Sequence, residues 1–584
     1  MGLRRVGGAG ALLIMLAAGP AGGAEWEVQE GRIRLDTTLL AASVFRVERP
    51  DAGLIGIANG GRVPSLNGDD GDLNYRRRGT VSALLRATSE LEVQRDGFGI
   101  LAAGTLYFDA LNASRGATDR TPLSNGALDI IGRGGRLLNA YAYGRFDLAD
   151  RPIELRAGAI ALNWGEAAYI PNGISAIAAY DLPRLVSPNA TLREGLLPVP
   201  MVNATARLAP GLALEGFVQV ASETVLLNPS GSYFSTADTI GAGGRRLFLG
   251  YLPPASDLPP YLPGSFVPRG ADRGPRDGGQ FGFALRWSPG ELGSTELGMY
   301  YLQLNSRLPV VSFRTGALPA GAALGPPQLA QALYAASSRY FLDYPSDIQL
   351  IGLSVSTPLP LDLTLRAEAS WRIGQPLQLD PNEMGLAALS PVLPALGTGQ
   401  LGRYGFGQEV TGYRRQDVGT LIAGLNRTIP AALGADQVQG TLEGGLTAVP
   451  DLPGRAALRF AGPGVYTSGD PLFTAIGAQP YTSTKGFASR LSGGYRLILQ
   501  ADYFNAVGPV SLSPYLALAH DLGGVTPAPL ATYVRDRKAM TIGVTAGFLS
   551  RWAAGVEYTR FFGGGDANLL RDRDYVTALL RTSF

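Results

Sequence analysis

The sequence predicts an all-β protein, a closed antiparallel transmembrane β-barrel of about 16–18 strands whose long outer loops partly fold into the lumen. Three observations predict it. Apolar and polar residues alternate with period two in segment after segment along the chain. The connections between those segments alternate between long and short. No stretch reaches the ~20 apolar residues of a spanning helix, and runs such as 386–396 are interrupted by Ser and Pro.

The expected strands, taken in order, begin at 33–47. The second, 80–94, sets Val81, Ala83, Leu85, Ala87, Leu91 and Val93 on one face and Arg86, Thr88, Glu90, Glu92 and Gln94 on the other. That is the pattern of a strand with lipid on one side and a polar interior on the other. Further segments follow at 98–112, 136–147, 152–162, 200–209, 212–222, 280–288, 294–306 and 348–357. The 361–373 segment repeats the pattern, with Leu361, Leu363, Leu365, Ala367, Ala369 and Trp371 opposite Asp362, Thr364, Arg366, Glu368, Ser370 and Arg372. The series continues with 417–426, 437–448, 490–504, 510–521, 539–549 and 552–562. It closes at 574–584 on Phe584, the kind of alternating final strand that barrel-assembly machinery is expected to read.

Long connections of about 34 residues and short ones of about four alternate almost without exception, the asymmetry between outer loops and periplasmic turns in membrane barrels. Arg95-Asp-Gly97, Pro210-Gly211 and Thr357-Pro-Leu-Pro360 are short ones. Both termini then fall at the periplasmic end, which requires an even strand number. Trp164, Trp287, Trp371 and Trp552 stand at or just beyond expected strand ends. With Phe584 they form the expected interfacial girdle, Trp164 and Trp371 outer, Trp287 and Trp552 inner.

Composition removes many functions. The chain has no Cys, one His, 79 Gly and 41 Pro, and 17% charged residues. Disulfide scaffolds, thiol catalysis, iron–sulfur clusters and Cys-based zinc sites are excluded. The 50 basic side chains nearly balance the 48 acidic ones, leaving no excess to hold a nucleic acid. Residues 1–24 carry the marks of a secretory signal peptide: Arg4 and Arg5, the apolar stretch 11–18, then Gly22 and Ala24. Residues 25–584 are expected to be the barrel, in the outer membrane of a Gram-negative bacterium, surrounded by lipid and lipopolysaccharide.

Several blocks occur in order: Asn59-Gly-Gly-Arg-Val-Pro-Ser-Leu-Asn-Gly-Asp-Asp-Gly-Asp-Leu-Asn74, Asn163-Trp-Gly-Glu166 with Ile170-Pro-Asn-Gly173, and Leu197-Pro-Val-Pro-Met201. Gly231-Ser-Tyr-Phe-Ser235, Phe561-Phe-Gly-Gly-Gly565 and Asn568-Leu-Leu-Arg-Asp-Arg-Asp574 complete the set. Together they resemble the proteobacterial domain-of-unknown-function 1302 family of porin-like outer-membrane proteins. The resemblance implies transport of hydrophobic or lipid-like molecules, with an RND-type exporter and a periplasmic lipid carrier as partners. It implies no catalytic residues.

Asp69, Asp70 and Asp72 are candidate ligands for calcium, the one cofactor considered. The alternation of Asp70, Asp72 and Asn74 matches the start of a calcium loop, but Tyr75 replaces the Gly of its sharp turn. Turn formation by Asn, Asp and Gly accounts for the same residues. His520-Asp521 has the makings of a catalytic dyad, without a Gly-x-Ser-x-Gly elbow to supply a nucleophile, and no enzyme is expected. Arg86, Glu90, Glu92, Arg156, Arg366, Glu368, Arg372 and Arg581 are lumen-facing charges of mixed sign. They suit internal pairing or a ring that orients solutes.

The long loops are unusually apolar, as in Tyr251-Leu-Pro-Pro254, Pro259-Pro-Tyr-Leu-Pro263, Leu329-Ala-Gln-Ala-Leu-Tyr-Ala336 and 384–396. Such surface must fold on itself, meet lipid, or line a path for an apolar ligand. The expected function is a passive outer-membrane channel or receptor for small hydrophobic or amphipathic molecules. Its constriction would come from loops 163–199, 223–279 and 374–416. A general diffusion porin for hydrophilic solutes, or a structural or adhesive barrel, are the alternatives.

Overall fold

The computed structural model describes residues 23–28, 31–76, 78–149, 151–319 and 326–584. Most of the expected leader, residues 1–22, lies outside the described residues. Eighteen antiparallel strands close into one barrel. They are β1 (Gly31–Arg46), β2 (Gly79–Arg95), β3 (Phe98–Asp109), β4 (Arg133–Leu148), β5 (Arg151–Ile160) and β6 (Val199–Ala209). Then come β7 (Leu212–Gln219), β8 (Gln280–Trp287), β9 (Glu296–Leu304), β10 (Ile348–Leu359), β11 (Leu363–Gln378) and β12 (Tyr413–Pro430). The last six are β13 (Gln437–Ala448), β14 (Leu491–Val507), β15 (Val510–Gly523), β16 (Arg537–Phe548), β17 (Trp552–Gly563) and β18 (Tyr575–Ser583). Each matches one expected segment. β18 closes the ring on β1, pairing Tyr575 with Arg46 and Ser583 with Thr38. Beyond β18, a short strand, Ala24–Val28, doubles back to pair with the start of β1.

Closure gives each of the eighteen barrel strands a partner on both sides, which is what allows β-structure to stand in hydrocarbon. The pleat then sorts side chains. Leu85, Leu91, Ile100, Leu106, Met299, Ile351, Leu421, Leu446, Ile542 and Val556 stand outward and exposed, while their neighbours turn inward. The turn at 96–97 has positive φ at both Asp96 (46°) and Gly97 (82°), the tight reversal that matches strand twist. All eight short turns lie at the end holding the termini. Among the described residues no helix is long and apolar enough to cross a membrane.

Two expectations change. Val81 is buried against Val44, Tyr75 and Tyr233 instead of facing out. A bulge between β1 and β2, where Phe45 pairs with Thr80 but Val44 with Ser82, turns it inward. Leu361 is not in a strand: it and Asp362 form the turn before β11, with φ of 67° and 56°.

At the other end the long loops build a cap. Helices α1 (Pro327–Ser337) and α2 (Pro381–Leu389) lie in it, with Val267, Phe313, Tyr340, Met384, Val410 and Phe460 in its apolar core. The apolar loops separate into two kinds. Met384, Ala387, Ala388 and Leu396 are buried in the cap, whereas Leu252, Leu262 and Leu329 are exposed at its surface.

Candidate functional site: a loop braced across the barrel

The connection between β5 and β6, residues 161–198, folds into the barrel. Two inward carboxylates hold its first half by its backbone. Glu368 on β11 accepts from the Glu166 and Ala167 N–H groups through Oε2 (2.6 and 3.0 Å) and from Ile174 N–H through Oε1 (2.9 Å). Glu443 on β13 accepts from Ala168 N–H (2.7 Å), Tyr169 N–H (2.9 Å) and Ile170 N–H (2.6 Å). Six backbone donors thus converge on two anions, each contact stronger than its neutral counterpart. Gly173 is required by this approach, because a Cβ there would fall on Glu368 Oε1. Arg372 donates to Gly173 O at 3.0 Å, and Arg366 lies 3.9 Å from Glu166.

The second half of the loop is tied to β2. Arg86 is buried, donating to Ser187 Oγ (3.1 Å) and Asn189 O (2.9 Å), with Glu194 at 3.4 Å. Arg193 pairs with Glu90. Glu92 and Arg156 sit apart from both groups: Glu92 accepts from Tyr143 Oη (2.7 Å) and Arg156 donates to Glu154 (2.6 Å). Seven of the expected lumen charges are therefore divided into three groups, with Arg581 apart from all of them, and they do not form one ring. Two of the groups brace the loop.

Trp164 is a correction. It is 1% exposed, so it is no part of an outward-facing girdle. It stands beyond the end of β5, where the chain turns inward, and packs edge-on to Phe217 (5.2 Å) and near Tyr300 (5.9 Å). Ile174, Met201, Leu302 and Leu350 belong to the same cluster. Trp287, Trp371 and Trp552 are 48%, 42% and 38% exposed on the outer face. Trp164→Phe removes ring volume but also a buried indole N–H that has no partner among the described residues. Cavity cost and relieved desolvation oppose each other, so the expected loss is about 1 kcal/mol, read from urea unfolding in detergent.

The loop divides the interior unequally. On the side of β14–β18 a cavity of about 560 Å³ remains, bounded by 185–190 of the loop and by Gln500, Ser513, Thr541, Thr559, Thr577 and Arg581 of the wall. Glu557, also there, accepts from Tyr515 Oη. On the cap side a chamber of about 280 Å³ is lined by Pro171, Ala178, Tyr180, Leu182, Leu304 and Leu350, with Arg307 and Arg372 also in its wall. Arg307 donates to Ile177 O (2.9 Å) and Gln219 Oε1 (2.7 Å), and burial pushes its guanidinium down to about 10.

Two other expectations are corrected. Asp72 does not join Asp69 and Asp70 but lies between Arg46 and Arg573, because the helical turn at Asp70–Leu73 points it to the other side. His520 and Asp521 are neighbours in β15 and so face opposite sides of the wall. His520 meets Tyr495 edge-on (5.5 Å), while Asp521 is taken by Arg496 (3.0 Å) and Arg537 (2.8 Å).

Reading the residues alone missed Glu443 and, apart from Arg581, the wall of the 560 Å³ cavity. Glu443 was visible only as one of the polar positions alternating along 437–448.

A family model described as a protein of unknown function, DUF1302, matches residues 4–584. The chain belongs to that family. This DUF1302 chain is also similar to several solved barrels. OccK1 (OpdK) of Pseudomonas aeruginosa is 11% identical with a TM-score of 0.39, the match covering 94% of this chain and 98% of that one. OccAB1 of Acinetobacter baumannii is 8% identical with a TM-score of 0.41, covering 94% and 96%. OccK5 (OpdH) of Pseudomonas aeruginosa is 9% identical with a TM-score of 0.41, covering 94% and 98%. No curated protein matches the chain.

Proposed function

We propose that this DUF1302 chain is a passive outer-membrane channel for small amphipathic molecules, narrowed by the 161–198 loop. The outward Leu, Ile, Val and Phe residues of the strands would face lipid, with lipopolysaccharide around the cap. The observation that carries the substrate reading is the contrast across the loop. The 280 Å³ chamber on its cap side is mostly apolar but has Arg307 and Arg372 in its wall, whereas the 560 Å³ cavity is more polar, with Ser, Thr and Tyr hydroxyls beside Glu557 and Arg581. An apolar body with one polar end suits the first, and the Ser and Thr side chains of the second give that polar end hydrogen-bond partners on the way through. Selectivity would come from pore width and lining, with no chemical step.

The hydroxyl lining also favours a second reading, a general diffusion porin for hydrophilic solutes. Liposome swelling separates the two. Proteoliposomes are expected to swell slowly in arabinose or sucrose and faster in an isosmotic medium-chain carboxylate. Sugar-driven swelling at least as fast as that in the carboxylate would favour the porin instead.

A further inference from the structure

The calcium expectation placed its ligands on one short stretch, and the fold breaks that stretch apart. It gathers a different set. Asp69 and Asp70 come from the β1–β2 loop and Asp238 from the β7–β8 loop, and one carboxylate oxygen of each lies within 4.8 Å of the others. Their remaining contacts are specific. Asp69 Oδ2 accepts from Gly56 N–H and Asn59 Nδ2, both at 2.9 Å. Asp70 Oδ1 accepts from Arg120 (2.8 Å) and Thr121 Oγ1 (2.7 Å), and Asp238 Oδ2 accepts from Asp70 N–H (3.2 Å).

An acidic cluster alone carries little meaning, but here it is underpaired and enclosed. Asp69 is 1% exposed and its Oδ1 has no hydrogen-bond partner among the described residues. Asp238 Oδ1 is likewise buried and without one. A fourth carboxylate, Asp257, is close by: it accepts from Asn59 Nδ2 at 3.1 Å, the same amide that reaches Asp69, and from Arg120. Arg120 is thus shared between Asp70 and Asp257. Buried anions in excess of their cations are costly, and each orphaned oxygen adds the desolvation of an acceptor.

We propose that Asp69, Asp70 and Asp238 bind a calcium ion that ties the β1–β2 loop to the β7–β8 loop at the capped end of the barrel. The ligand set is all oxygen, as a hard cation requires, and comes from loops whose irregular geometry suits the flexible coordination of Ca²⁺ better than the strict octahedron of Mg²⁺. The ion supplies the positive charge that the cluster lacks and gives the underpaired carboxylates a partner. The site stands apart from the channel interior and from the reading of what passes through it.

The test is calorimetric titration of CaCl₂ into the purified full barrel in detergent, after EDTA treatment and buffer exchange. One saturable site is expected, in the roughly 10⁻⁴–10⁻³ M range typical of extracellular calcium modules, weakened at least about tenfold in Asp238→Asn. Asn keeps the shape and removes a repelling charge, and heat-modifiable gel migration verifies that the variant is folded. Asp70→Asn, which keeps an acceptor for Arg120 and Thr121, serves as a second variant with the same expected loss. Asp566→Asn, an exposed carboxylate elsewhere, is expected to bind as the parent does. Absence of saturable heat up to about 10 mM Ca²⁺, or undiminished binding in both Asp238→Asn and Asp70→Asn, overturns the assignment.

Discussion

Replacing Glu368 and Glu443 together by glutamine is expected to free the first half of the 161–198 loop and raise single-channel conductance about twofold or more, with added open-channel noise. Each carboxylate now accepts from three backbone N–H groups. A glutamine amide presents one oxygen and one NH₂, so at least one donor in each trio loses its acceptor and meets another donor. Hydrogen bonds to charged groups contribute about 1.5–3 kcal/mol each, so the pair of substitutions removes several kcal/mol of bracing. The strand ladders are untouched, and the barrel's unfolding midpoint is expected to move much less than its conductance. Planar-bilayer recording reads the effect. Unchanged conductance and noise in the folded double variant would mean that these carboxylates do not restrain the loop.

The second large effect is expected at the seam. Arg46, Asp72, Asp572 and Arg573 are each 1% exposed. Arg46 donates to Tyr75 O (2.8 Å), Asp72 Oδ1 (3.2 Å) and Asp572 O (3.0 Å). Arg573 pairs with Asp72 and with Asp572 (2.8 Å) and donates to Tyr233 O (2.6 Å). Both guanidinium groups stand over the Tyr233 ring, at 5.5 and 5.7 Å. Three loops and the end of β1 therefore meet at four buried charges, beside the pairing of Arg46 with Tyr575 that starts the seam. Asp72→Ala leaves two buried cations sharing one carboxylate, for which breaking a buried ion pair predicts a loss of about 3–5 kcal/mol. Urea unfolding of the folded barrel measures it. A loss under about 1 kcal/mol would place the network among weakly coupled surface pairs.

The strands were legible because period-two alternation is a local property: one face is sorted for the outside and the other for the inside, residue by residue. What escaped was set by distant partners. Trp164 fits a strand end as well as a loop entering the lumen, and only the apolar inner faces of Phe217 and Tyr300 decide between them. Val81 obeys the alternation on paper, but a single extra residue in the ladder reverses it. The polar phase of 437–448 marks Glu443 as inward without revealing that three backbone amides await it. The same holds for the acidic cluster, where Asp70 meets Asp238 across 168 positions of sequence. Nothing within the 67–74 stretch announces that Asp72 turns away.

The pairing of β18 with β1 has a consequence for how the molecule matures. The cylinder cannot close until its last nine-residue strand (Tyr575–Ser583) reaches Thr38–Arg46, more than five hundred residues earlier in the chain. Until then two rows of amides lack partners, a state hydrocarbon does not tolerate. Contacts so remote in sequence form late and slowly. Completion of the hydrogen-bonded circle therefore waits for the last strand to be synthesised, and entry into a bilayer is expected to be coupled to it.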